Sequence, residues 1–136
     1  MGERYTITTA SPDGALAARL VLAGEVRFGP SYYALAVGGR DFGQRMFGEP
    51  LLWSPSSQLL AVQEWLTLDY SAGPITALVL IDLAMGREAT VAQATKGFVV
   101  PETFDGAALT YRIDYAAKVE RHTLDVAGVA AWAALG

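Results

Sequence analysis

The chain has 136 residues, a net charge of −4, one histidine and no cysteine. That length suits one domain with its own core, residues 1–136, and the missing thiols exclude disulfides, thiolate nucleophiles, zinc fingers and iron–sulfur ligation and point to a reducing cytoplasm. Hydrophobic residues make up 52% and charged residues 18%, so most elements should be covered on at least one face.

No run nears the ~20 apolar residues that cross a bilayer, and no membrane partner is expected. The start, MGERYTITT, is charged and then polar, which does not fit a leader peptide. The cations run from Arg4 and Arg19 to Lys118 and Arg121 without clustering, so nucleic acid is not an expected partner. An acidic surface suits a basic protein.

The dominant period is two. Arg4–Thr9 opens as a short strand. In ALAARLVLAGEVRF, Leu16, Ala18, Leu20, Leu22, Val26 and Phe28 share one face, while Arg19, Glu25 and Arg27 take the other. That alternation predicts a half-buried antiparallel strand, bent at Gly24. Tyr32–Val37 is the next short strand, and VGGRDFG after it is a hairpin turn, lacking the glycine order of a phosphate cradle.

Leu59–Leu68 is apolar at even positions except Glu64, which calls for an arginine partner or marks where that face meets solvent. TALVLIDL is apolar on both faces and predicts a central strand covered on both sides. Thr90–Ala94 and Val119–Leu124 are shorter candidates. Between them, LTYRIDY sets Leu109, Tyr111, Ile113 and Tyr115 against Thr110, Arg112 and Asp114. The one helical candidate is Asp125–Leu135, with Asp125 as cap and Trp132 docked.

Turn signals at Pro12-Asp13-Gly14, Gly29-Pro30-Ser31, Gly73-Pro74, Met85-Gly86 and Asp105-Gly106 separate these runs. The expected fold is therefore all-β and mainly antiparallel: a small sandwich or strongly twisted meander sheet, with a short C-terminal helix.

Within it, LLWSPSSQLLAVQEW and then TALVLIDLAMGREATVAQ resemble one blade of TolB-like and WD40-like β-propellers over residues 51–94. The resemblance implies a four-stranded meander. Trp53 would wedge between layers, the Ser54–Ser57 hydroxyls would hold turn amides, Leu60 and Val62 would enter the core, and Asp82 would accept from the next turn. A propeller needs at least ~4 blades, so residues 1–50 and 95–136 are expected to cover the meander in another way.

Catalytic chemistry is poorly provided for. His122 has no serine near it in sequence and no G-x-S-x-G elbow exists. One histidine without cysteine leaves only carboxylates for a metal, and none have ligand spacing. Glu64 with Asp69, or Glu102 with Asp105, would form an acid pair only if the fold joined them. No cofactor, metal or catalytic residue is assigned.

Trp65, Asp69 and Tyr70 instead gather aromatic and acidic groups at a strand end, the composition of a hot spot for a basic partner. Glu64 beside them and Asp41 in the glycine-rich turn complete the candidate partner-binding set. In overall character, acidic, cysteine-free and of one compact domain, the chain is similar to small bacterial immunity proteins that neutralise a cognate toxin. That similarity implies a non-catalytic cytoplasmic module whose partner is a basic toxin domain. Two alternatives stand beside it: an enzyme or ligand carrier with a pocket lined by Tyr5, Tyr32, Tyr33, Tyr111 and Tyr115, and a homo-oligomeric subunit joined through Leu66 and Leu68 or a free sheet edge.

Overall fold

A computed structural model of the chain describes residues 5–26 and 29–135. Arg4, Arg27 and Phe28 in the expectations above lie outside the described residues. The described chain is antiparallel β-structure: β1 (Thr6–Ala10), β2 (Ala17–Glu25), β3 (Ser31–Val37), β4 (Arg40–Asp41), β5 (Met46–Trp53), β6 (Leu59–Trp65), β7 (Ile75–Asp82), β8 (Arg87–Thr95), β9 (Gly97–Asp105), β10 (Ala108–Tyr115), β11 (Val119–Asp125) and β12 (Ala133–Ala134). A nine-stranded sheet runs β1-β2-β3-β5-β6-β7-β8-β12 with β4 beside β3, and a three-stranded sheet runs β11-β10-β9.

The meander β5–β8 lies at the centre, and alternation explains how it is covered. Successive side chains of a strand point to opposite faces. Leu60 and Val62 of β6, with Val79 and Ile81 of β7, enter one core together with Ala18, Leu20, Tyr33, Leu35, Val37 and Phe47. Ala61, Leu78 and Leu80 point the other way and pack with Val99, Leu109 and Ile113 of the smaller sheet. Between β3 and β5 the pairing narrows to Tyr33↔Phe47, and there the large sheet folds over so that β1–β3 lie across the meander. Every residue of β7 from Thr76 to Asp82 is buried, and each large aliphatic side chain so enclosed contributes about 1.5–3 kcal/mol.

The turns behave as their hydroxyls and carboxylates dictate. Ser54 Oγ accepts from the Leu59 amide at 3.0 Å, Ser57 Oγ from the distant Asp13 amide at 2.9 Å, and Asp82 Oδ1 from the Met85 amide at 3.1 Å. Trp53 sits at the edge of the first core and donates its Nε1 hydrogen to the Thr9 carbonyl at 3.0 Å, which ties β5 to β1.

Three features differ from the sequence expectation. Strands β5 and β9 carry internal breakers, Gly48 and Pro50 in one and Pro101 in the other, and both are accommodated at register shifts. Strand β6 ends at Trp65, so Leu66 and Leu68 lie beyond it. The C-terminal segment is not a helix beyond one 3-10 turn, Val126–Gly128. Asp125 does cap that turn, accepting from the Ala127 amide at 3.0 Å. Val129 then leaves the turn with extended backbone, and Ala133–Ala134 pair with Glu88 and Arg87. Packing onto the β8 edge overrides the helix propensity of the alanines.

Candidate protein-binding surface

Glu64 and Trp65 are neighbours on β6, and for that reason they face opposite ways. The Glu64 carboxylate accepts two bonds from Arg45, from Nε and from Nη2, both at 2.9 Å. The same guanidinium reaches Glu88 on β8, from Nη1 at 3.0 Å and from Nη2 at 2.7 Å. Its carbon lies 5.7 Å from the Phe42 ring centroid and 5.4 Å from that of Phe47. The two carboxylates are only 14% and 19% exposed, and the hydrogen bonds that Arg45 donates to Glu64 and then to Glu88 hold its proton more tightly than usual. Two half-buried acids are thus clamped by one half-buried cation, the arrangement that offsets the partial desolvation of such charges.

Asp41 stands at the mouth of the same region, lining a cavity of about 310 Å³ with Phe42, Arg45, Glu88 and Leu135. Its Oδ1 accepts from the Gly43 amide at 2.8 Å, which fixes the turn.

Trp65 belongs to the other face and is 5% exposed. Its Nε1 donates to Gln63 Oε1 at 2.8 Å, and Gln63 Nε2 donates to the Val99 carbonyl at 2.9 Å, a bridge from β6 to β9. Gly48 makes room for that bridge, because a Cβ there would run into the Gln63 amide and the Trp65 indole nitrogen. Around the indole lie Tyr32, Tyr70 and Phe98, with ring centroids at 5.5, 5.8 and 6.1 Å. Pro30, Pro50, Trp65, Phe98 and Val100 line an open groove of about 380 Å³, with Glu49, Arg112 and Asp114 at its polar wall.

Beyond Trp65 the chain leaves the sheet for the 66–74 loop. Leu66 and Leu68 are 44% and 46% exposed. Asp69 is exposed between them and Tyr70; its carboxylate accepts from the Ser71 amide at 2.9 Å, and that bond holds it below the ordinary carboxylate range. Tyr70 turns back so that its ring covers Trp65 and Phe98, the latter at 6.3 Å. Its hydroxyl is buried without a hydrogen-bond partner among the described residues, and burial pushes its pKa to about 12.

The structure therefore brings Trp65, Asp69 and Tyr70 together at one end and Glu64 with Asp41 on the opposite face. Trp65 is a wall of this site and its floor, not a protruding anchor; the exposed apolar groups are Leu66 and Leu68. The other sequence candidates take separate places. Glu102 lies between Arg121 at 3.1 Å and Arg112 at 3.2 Å, and these bonds, Arg121 first, hold its carboxyl below the usual range. His122 is stacked on Tyr111, centroids 5.3 Å apart, and stands 3.5 Å from Glu120. Among the described residues no group of three or more His, Asp or Glu is placed to hold a metal, and no helix is long and apolar enough to cross a membrane. The tyrosines are dispersed, and none lines any of the three described cavities.

Arg45, Glu88, Gln63 and Phe98 were not singled out in the sequence. Only the break at Glu64 carried a signal, readable as an arginine partner or as a face that meets solvent, and the structure supplies the arginine. Comparison with known proteins gives no matching family profile, no significant match among characterised proteins and none among solved structures.

Proposed function

We propose that this chain is a non-catalytic protein-binding module of the immunity type, a cytoplasmic protein that captures and neutralises a basic toxin domain through its 66–74 loop. The observation that supports this reading is the anatomy of that loop. Two leucines, 44% and 46% exposed, precede an ionised aspartate, and the loop is clamped by Tyr70 on Trp65 and Phe98. A clamped loop loses little freedom on binding, so more of the contact energy appears as affinity. Desolvating Leu66 and Leu68 supplies that energy, while Asp69 and the net charge of −4 steer a cationic partner.

The test pairs the wild type with Leu66→Asp/Leu68→Asp. The immobilised wild type is used to retrieve its partner from the native host, and the partner is purified and assayed alone. The expected result is a basic protein whose toxicity is suppressed at one-to-one stoichiometry by the wild type and not by the variant. The variant should melt with the wild type, because exposed substitutions change stability by about 0.5 kcal/mol or less. Equal suppression by both proteins overturns the assignment. Self-association that the variant abolishes assigns the loop to homo-oligomerisation instead.

A further inference from the structure

A second cavity, of about 530 Å³, lies away from the loop, between the Ser54–Gln58 turn, the β9–β10 turn at Gly106-Ala107 and the C-terminal segment. Among the three described cavities it is the one whose wall carries a cation and no carboxylate: Arg87 is its charged residue, and Leu59, Val126, Val129 and Trp132 supply apolar surface. The C-terminal segment is fixed as its wall. The Val126 amide donates to the Ala107 carbonyl and the Leu135 amide to the Gly86 carbonyl, each at 2.9 Å, and Trp132 Nε1 donates to the Val129 carbonyl at 3.1 Å.

Arg87 is held on two sides. Its Nε donates to the fully buried Asp82 at 3.2 Å, and Asp82 itself is kept in place by Gln58 Nε2 and the Met85 amide, each at 3.1 Å. The guanidinium carbon lies 4.2 Å from the Trp132 ring centroid, close enough for cation–π attraction. The terminal Nη1 and Nη2 groups make no hydrogen bond to any described residue. A planar donor fork, oriented from behind and from one face, is thus left open beside an apolar wall.

We propose that this cavity binds a small amphipathic carboxylic acid, with its carboxylate on the terminal nitrogens of Arg87 and its apolar body along Trp132, Val126 and Val129. One guanidinium fork matches one carboxylate. A phosphate would call for further cations, whereas this wall carries one, and its Ser54–Ser56 hydroxyl pair and Gln58 amide are already hydrogen-bonded within the protein. The volume lies in the range of small-ligand sites. Asp82 offsets part of the positive charge, so the expected affinity is modest, a Kd on the order of 0.1–1 mM for a ligand of about ten heavy atoms.

The probe is 3-phenylpropionate, titrated into the full chain at constant ionic strength and followed by the Trp132 indole N–H resonance, assigned with Trp132→Phe. The neutral 3-phenylpropanamide, acetate and inorganic phosphate are run beside it. The expected result is saturable displacement of the Trp132 signal by the acid, with binding at least tenfold weaker for the amide and for Arg87→Gln. Arg87→Lys, which keeps the charge and loses the fork, should weaken binding about tenfold or more. Equal binding of acid and amide overturns the proposal, as does undiminished binding to a folded Arg87→Gln or Arg87→Lys. If acetate or phosphate displaces the signal as strongly as the acid, the cavity is a bare anion site and the amphipathic reading is wrong. The acid–amide comparison needs only the wild type, so misfolding of a variant does not remove the test.

Discussion

Leu80 and Ile81 are adjacent on β7 and belong to different cores, which makes them a sharp probe of the central meander. Leu80 is fully buried against Val99, Leu109 and Ile113, and Ile81 is 1% exposed against Leu20, Leu35 and Val62. Neither site can collapse easily, because β7 is paired along its whole length to β6 and β8. Leu80→Ala and Ile81→Ala should therefore each cost about 3 kcal/mol, within the usual range for fully buried aliphatic truncations. At roughly 3–5 °C per kcal/mol for a domain of this size, each should lower the Tm by about 10 °C. A strand covered on one face only would give one large and one small effect. The two cores should also be nearly independent. In urea unfolding followed by circular dichroism, Leu80→Ala with the milder Ile81→Val should be additive to within about 0.5 kcal/mol. A cost below about 1 kcal/mol for either alanine, or a coupling well above that margin, refutes the two-sided arrangement.

Other sites give equally direct outcomes. Tyr70→Phe removes a buried hydroxyl that has no partner among the described residues, so thermal melting should show a gain of about 1 kcal/mol; a loss of that size means the hydroxyl is bonded. Gly48→Ala drives a methyl into the Gln63–Trp65 bridge and should cost about 1–3 kcal/mol by the same assay; a neutral result removes that bridge from the account. Arg45→Met strands the Glu64 and Glu88 carboxylates at 14% and 19% exposure and should cost about 2–4 kcal/mol, largely recovered when Glu64→Gln and Glu88→Gln are added; no recovery means the arginine acts through packing. Burial pushes Tyr33 and Tyr70 from 10.0 to about 12, with the Tyr33–Glu49 hydrogen bond acting in the same direction as burial. Since the folded state holds these protons more tightly than the unfolded one, their contribution is full below about pH 10 and is lost as pH rises toward 12. Absorbance at 295 nm should show two phenols ionising near that upper value, and completion by about pH 11 contradicts their burial.

Much of the fold was legible because alternation leaves a plain mark. TALVLIDL announced a strand covered twice, and the blade-like run 51–94 forms a meander whose Ser54, Leu60, Val62 and Asp82 sit as its pattern implied. Strands β5 and β9 were hidden by Gly48, Pro50 and Pro101, residues that end strands in general and here occupy register shifts. The Ala-rich end suggested a helix because propensity is local, whereas its pairing with Arg87 and Glu88 is not. Glu64 was visible as an anomaly, but its partners arrive from elsewhere in the chain, and no spacing rule finds a triad spread over the β4–β5 connection, β6 and β8. That Glu64 and Trp65 cannot share one surface was implicit in the period of two itself.

On the proposed function, the partner touches the 66–74 loop. Amide hydrogen exchange on the one-to-one complex with the retrieved partner measures this directly. Added protection is expected across residues 66–74 and along the rim of the groove beside Ser31, Gly48 and Phe98. Protection confined to β11 or to the Arg45–Glu88 face, with residues 66–74 exchanging as in the free protein, would contradict the account.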